Sequence, residues 1–490
     1  MQDAGGREYI TQVFPDPRIL HPAPSPMINL DKNLTPQILL PKLKRFWERS
    51  AECIEAIEVS CPPGSASPVF TVEGRYTARG WTEWTQGFQY GSMLLQFDAT
   101  DDERYLELGR DRTVHVMAPH LTHVGVHDHG FNNVSTYGNL WRLIQEDRLD
   151  ADEWEERFYE LALKASGAVQ ASRWSRTRDG SGYIYSFNGP QSLFVDTIRS
   201  CRALALAHQL GHSLMGERDE KINLLQRLVE HANNTAHYNI WYGDERDAYD
   251  VSGRTAHESV FNTNNGEYRC PSSQQGYSPQ STWTRGLAWA MLGYAEELEW
   301  LATRSDEELE TIGGRTAIEV TFLRAARATC DFYITHTPID GVPYWDTGAP
   351  GLARLGEYLD QPADPFNDLE PVDSSAAAIA CQGLLRLGHY LINERDETKS
   401  GVRYVEAGLT TLNTLLDEPY LSTDVKHQGL ILHSVYHRPN GWDHVPPGRN
   451  VPCGESSMWG DYHAREAALY VQRLAADDPY YTFFGPSDGE

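Results

Sequence analysis

Positive charge is what this 490-residue chain has least of: 42 Lys and Arg stand against 69 Asp and Glu, for a formal net charge of −27. A surplus of that size excludes nucleic acid and anionic membrane surfaces as partners, because both require a basic face. Cysteine is scarce as well. Cys53, Cys61, Cys201, Cys270, Cys330, Cys381 and Cys453 occur without a Cys-x-x-Cys pair. Such a spread suits separate reduced thiols and argues against a disulfide framework or a zinc site. No apolar run approaches the roughly 20 residues needed to span a bilayer. The opening Met1-Gln2-Asp3-Ala4-Gly5 lacks a basic segment followed by an apolar one, so a cytoplasmic location is expected. A chain trimmed of its leader reads the same and would be periplasmic or secreted. Phosphate loops, dinucleotide fingerprints, nucleophile elbows and Ser-His-Asp orders are missing too.

What is present is an ordinary globular composition, 40% hydrophobic and 23% charged, with ample core. Residues 1–33 are rich in Pro, Asp and Gly and read as an extended arm. Thr35-Pro36 then opens a helix, as an N-cap residue followed by Pro at the first helical position. Apolar residues recur at three- and four-residue spacing over 92–97, 101–118, 134–147, 151–172, 194–210, 217–238, 289–301, 308–336, 374–392, 402–416 and 456–474, which predicts amphipathic helices. Residues 241–266 are expected to be loop with a short hairpin, with Asn264-Asn265-Gly266 as its turn signal. About a dozen helices with no inter-domain linker predict an all-α fold, a single (α/α)6 barrel of six helical hairpins, with short β-hairpins in its loops. The expected division is an N-terminal arm over 1–33 and one catalytic domain over 34–490. A two-domain helical bundle is the alternative. In such a ring the loops at one rim converge on a central funnel, where distant motifs meet.

The stretch from Gln274 to Ala290 runs from a Gly/Pro/Ser-rich loop into an apolar helix, with Trp283 and Arg285 at the junction and Trp289 one turn on. Ring faces and a guanidinium fork suit a sugar acid. The other reading is a buried Trp pair with Arg285 capping a neighbour's carbonyls. Asp128 lies within His127-Asp128-His129-Gly130-Phe131; it is either an N-cap or a carboxylate held at the funnel. Adjacent His and Asp rarely bind one metal together, and no third ligand of suitable spacing follows, so no metal is expected. Asp196 opens an otherwise apolar helix, either as a first-turn acid favoured by the helix dipole or as a buried acid. A buried carboxyl beside a second carboxylate has its pKa raised, and such pairs mark acid/base sites. His257 alone reads as a plain loop histidine.

Several segments together resemble glycoside hydrolase family 88, the unsaturated glucuronyl hydrolases. They are Trp84-Thr85-Gln86-Gly87-Phe88, His127 to Phe131, Asp196-Thr197, His257 with Gly266, Gln275-Gly276, Ser281 to Trp289, Tyr344-Trp345-Asp346, Asp373 to Ile379 and Trp459-Gly460-Asp461-Tyr462. The resemblance implies an (α/α)6 barrel that hydrates the C4–C5 double bond of the unsaturated uronic acid left by polysaccharide lyases, with no cofactor. By motif position, Asp196 looks like the general acid and base and Asp128 like its partner. His127, His257, Gln275 and Arg285 then fall where substrate and its carboxylate are bound, and Trp84, Trp283 and Trp289 where the ring stacks. The implied partner is an unsaturated oligosaccharide, met by a monomer or small homo-oligomer. Leu287, and Ile198-Arg199-Ser200 after Asp196-Thr197, depart from the family pattern. Arg199 would favour a sulfated substrate if it faced the funnel. Competing readings are an unsaturated rhamnogalacturonyl hydrolase acting on pectin fragments, a non-catalytic carbohydrate-binding toroid and a sugar isomerase.

Overall fold

The computed structural model describes residues 28–486. Among them, twelve helices form six hairpins. The outer members are α1 (Pro36–Ser60), α3 (Glu103–Val116), α5 (Glu153–Ser172), α7 (Leu224–Asn239), α9 (Arg315–His336) and α11 (Thr398–Leu415). The inner members are α2 (Gln86–Thr100), α4, α6, α8 (Thr284–Ala302), α10 (Ser374–Asn393) and α12 (Met458–Ala475). Two inner helices are broken: α4 runs His129–Asn132, a π-turn at Val134–Gly138, then Asn139–Gln145, and α6 runs Thr197–Ser200, then Arg202–Gln209. The outer helices keep an exposed face, whereas every residue of α8 from Thr284 to Leu301 is buried. Each inner helix touches the next, and α12 returns to α2, so the ring closes as an (α/α)6 toroid.

Close backbone approach makes this ring possible. A Cβ at Gly87 would lie 2.3 Å from the carbonyl oxygen of Asn132, and one at Gly130 would lie 2.3 Å from that of Ser200. α2, α4 and α6 therefore meet where a side chain would force them apart. One continuous apolar core spans the ring, with a small satellite of Tyr183, Leu193 and Phe261.

The helices expected from 92, 289 and 402 begin earlier, at Gln86, Thr284 and Thr398, and three others begin later or are divided near their starts. The 194–210 segment begins as a strand, Ser192–Phe194, paired with Glu258–Phe261. The 217–238 segment starts only at Leu224, where the Asn223 side chain accepts from the N–H groups of Leu225 (2.9 Å) and Gln226 (3.3 Å). The 308–336 segment is divided at Gly313-Gly314, both with positive φ (117° and 85°), a conformation that ends a helix. The expected hairpin is present, Glu258–Phe261 against Tyr268–Ser272, with Gly266 at φ 69° in its turn. Most of the N-terminal arm lies outside the described residues. Its described end is fixed to the body by Ile28 N–H to Ile334 C=O (3.3 Å) and Asn29 N–H to Ile339 C=O (2.9 Å). No helix among the described residues is long and apolar enough to cross a membrane.

Candidate active site

All six inner helices start at the same end of the ring, and the motif residues sit at those starts. Trp84 lies just before α2, Asp128 before α4, Asp196 before α6, Trp283 before α8, Asp373 before α10 and Ser457 before α12. Helix N-termini carry partial positive charge, so this end is locally favourable to an anion in a protein of net charge −27. Asp373 and Ser457 cap their helices, accepting from the N–H groups of Ser375 (3.1 Å) and Gly460 (3.1 Å). Asp128 and Asp196 occupy equivalent positions and accept nothing from theirs. The capping reading of Asp128 is thereby overturned.

What they share is His127. Its Nε2 lies 3.7 Å from Asp128 Oδ1 and 3.5 Å from Asp196 Oδ1, distances of charge contact rather than of formed hydrogen bonds. The ring is wedged between Phe187 and Phe194, and its backbone carbonyl accepts from Ser200 Oγ (2.7 Å) and Gln170 Nε2 (3.1 Å). All three titrating side chains are buried. Burial would strip the proton from His127, but the charges of Asp128 and Asp196 outweigh it and hold the imidazole above its ordinary range. The carboxylates split. Burial, reinforced by the charges of Asp196 and Glu83, pushes Asp128 up to about 6 despite the pull of His127. Burial pushes Asp196 up too, yet His127, His257 and Arg285 together outweigh it and hold this carboxyl below the usual range. The raised pKa expected of a buried acid in this pair thus belongs to Asp128, and the proton nearest Asp196 resides on His127.

Asp128 consequently destabilises the fold that holds it. A carboxyl whose pKa rises on folding binds its proton more tightly in the folded state, so stability falls as pH climbs from the unfolded value of 3.8 to about 6 and stays lowered above it. Asp128→Asn is expected to stabilise the protein at pH 7.5 by on the order of 2–3 kcal/mol. Most of that gain should vanish at pH 4.5. Urea denaturation of both proteins at the two pH values checks this; an equal difference at both would contradict it.

His257 is built as a neutral donor. Its Nδ1 accepts from the backbone N–H groups of Gln274 (3.0 Å) and Gln275 (3.3 Å), so the proton of the neutral ring sits on Nε2. That Nε2 is buried with no partner. Burial depresses the imidazole to about 4. The Gln274–Thr282 loop is held in turn by Asp346, which accepts from Tyr277 N–H (2.8 Å).

Arg285 differs from expectation. Its fork is closed: Nη1 meets Asp373 Oδ2 (3.0 Å) and the Val435 carbonyl, and Nη2 meets Gln275 Oε1 (2.9 Å) and the Tyr436 carbonyl (2.7 Å). With four internal acceptors and the faces of Trp283 and Trp459 on either side, it supports Gln275 and offers no open fork to a carboxylate. Trp283 and Trp289 are likewise enclosed, 3% and 2% exposed; Trp283 abuts His257 and Trp289 abuts Phe131 and His463. Only Trp84 of the three expected stacking residues is partly exposed, lying on Trp459 with ring centroids 5.1 Å apart. Leu287 is core. Arg199 does not face the funnel: fully buried, it forks onto Glu296 (3.0 Å to each oxygen) and reaches Glu466 (2.6 Å) and His463. Sequence reading overlooked Phe187, Phe194, Tyr436 and the role of Trp459, whose aromatic character shows in the chain but whose convergence does not.

The ring is an (α/α)6 toroid with two buried acids and a histidine gathered at the N-terminal ends of its inner helices. No protein-family model matches the sequence. The chain is similar to the unsaturated glucuronyl hydrolase of Formosa agariphila, 26% identical over 396 residues that cover 80% of each chain. It is also 26% identical to the unsaturated glucuronyl hydrolase of Bacillus sp. (strain GL1) over 409 residues, 81% of this chain and 89% of the relative. The crystal structure of unsaturated glucuronyl hydrolase from Bacillus sp. GL1 shares the fold, with a TM-score of 0.65 at 22% identity over 91% of this chain and 100% of that one. Across four-fifths of its length this chain is a homologue of the unsaturated glucuronyl hydrolases, which are glycoside hydrolases.

Proposed function

We propose that this protein removes the unsaturated (4-deoxy-4,5-ene) glucuronic acid from the non-reducing end of lyase-generated oligosaccharides by hydrating the C4–C5 double bond. The observation that carries the reading is the convergence of Asp128 and Asp196 on His127, at the end of the ring that also bears the partly exposed Trp84, in a chain homologous to enzymes of that name. Residues 34–490 act as one catalytic domain.

Asp196 meets substrate as a carboxylate with the His127 proton beside it. Entry of a uronate adds negative charge and expels water, both of which raise the proton affinity of Asp196. The proton passes from His127 to Asp196 and on to C4. Positive charge develops at C5 and is shared with the ring oxygen; Asp196, again a carboxylate, takes a proton from the water that adds to C5. The resulting hemiketal opens and expels the remaining sugar. Asp128, protonated below about pH 6, serves the sugar hydroxyls and sets the charge felt by His127. His257 Nε2–H donates to the uronate, and Gln275 is aimed by Arg285. Trp84 stacks on the sugar face.

The test is the ultraviolet absorbance of the conjugated enol-ether carboxylate in lyase-generated disaccharides. Its loss on adding enzyme is expected with glycosaminoglycan fragments; its persistence there would defeat the proposal. Loss with pectin fragments alone would favour the rhamnogalacturonyl alternative, to which the relatives lend no support.

A further inference from the structure

Among the described residues most arginines have a carboxylate or carbonyl partner. Arg199, Arg285 and Arg386 each have a carboxylate partner, and Arg173 donates to three backbone carbonyls. Arg79 is different. Among the described residues no carboxylate or hydrogen-bond acceptor meets it. Its guanidinium instead lies against two aromatic rings, its central carbon 4.9 Å from the centroid of Tyr436 and 4.4 Å from that of Trp442. Aromatic rings attract a guanidinium without accepting hydrogen bonds in its plane, where its five N–H donors point. The two rings touch each other, with centroids 5.3 Å apart and planes tilted by 50°, so Arg79 lies in the corner they form; that corner holds the cation in place and leaves donors free for a bidentate anion.

The location is at the rim of the funnel. Arg79 ends the second strand of the hairpin Ser67–Val72/Arg75–Arg79, five residues before Trp84. Tyr436 continues the aromatic face: its ring lies 5.3 Å from Trp459, which stacks on Trp84. Trp442 is 43% exposed, an apolar plane open to solvent at this rim. The platform is rigid. Thr71 N–H donates to Ser456 C=O (2.9 Å), which ties the hairpin to the start of α12. Asp443 accepts from the N–H groups of Tyr436 (2.5 Å) and His437 (3.1 Å), which fixes the facing loop.

We propose that Arg79, with Tyr436 and Trp442, binds an anionic substituent, a sulfate ester or a carboxylate, on the sugar that follows the unsaturated uronate. This rests on the reaction proposed above. It makes Arg79 a specificity-determining residue and assigns the leaving-sugar subsite to a cation the family-like motifs do not contain.

The experiment compares kcat/KM for matched unsaturated disaccharides whose second sugar is neutral, 6-sulfated or a uronate, using the wild-type protein, Arg79→Ala and Arg79→Lys. The wild type is expected to favour at least one anionic substrate by about ten-fold, equivalent to ~1.4 kcal/mol. The sulfated and uronate arms separate the two sources of charge. Arg79→Ala should abolish the preference through KM on the anionic substrate alone, with activity on the neutral one and the melting temperature unchanged; Arg79→Lys should keep part of it. No preference in the wild type, or an equal loss on all substrates in Arg79→Ala, overturns the proposal while leaving the reaction standing. Absence of turnover on every disaccharide by the wild type defeats the reaction itself.

Discussion

Asp196→Asn should lose about 10³-fold in kcat, within the range seen when a general acid–base is removed, while KM changes little. The amide matches the carboxylate in size, so α6 and its neighbours have no reason to move. What it cannot do is accept the His127 proton or take one from water. The carboxylate has no structural employment to confuse the result: it caps no helix, and its Oδ1 is buried with no hydrogen-bond partner. Turnover is followed by loss of enol-ether absorbance and binding by calorimetry with the same disaccharide. Near-normal turnover would remove Asp196 from the chemistry. Loss of binding in step with turnover would make it a binding residue instead.

The largest stability effect is expected at Arg199. Glu296 and Glu466 converge on it with no exposure, and Arg202 lies 3.7 and 3.8 Å from the same two carboxylates. Burial drives the Glu466 carboxyl up, but Arg199, Arg202 and Arg386 outweigh it and hold it below its ordinary range. Arg199→Ala removes the bidentate partner and leaves the carboxylates buried with only Arg202, not hydrogen-bonded to them, and Arg386 to balance their charge. Such a break costs about 3–5 kcal/mol, to be read from urea denaturation. Adding Glu296→Gln should recover part of the loss, because the neutral amide no longer needs a counter-charge. A cost below 1 kcal/mol, or no recovery in the double variant, would show that the cluster is not held by its charges.

The ring and its motif residues were legible because both are written locally. Helical spacing survives in any stretch of chain, and an Asp before an apolar helix marks a helix start wherever it lies. The employment of the arginines was not legible. Arg285 pairs with Asp373, 88 residues away, and Arg199 with Glu466, 267 residues away; nothing near either residue announces those partners. The carbonyl-capping alternative for Arg285 and the buried Trp pair describe the structure better than the open sugar-acid wall does. The division of pKa values between Asp128 and Asp196 was equally hidden, since it depends on which charges surround each acid in space. Helix starts at 194, 217 and 308 were misplaced because a strand pairing, an Asn cap and a Gly pair override apolar periodicity.

The seam between α12 and α2 has a consequence for how the molecule is made. Thr71 and Ser456 are bonded across 385 residues, and the wall that closes the ring, α12, leaves the ribosome after the other eleven ring helices. Until then the growing chain is an open crescent whose two inner edges, α2 and α10, present apolar flanks to the cell, a state prone to association. Both acids and His127 are synthesised long before this point. Trp459 beneath Trp84 and Glu466 beside Arg199 are not. The proposed site is therefore complete only once the circle closes, and a chain stalled or clipped before α12 would carry Asp128 and Asp196 without the ring that encloses them.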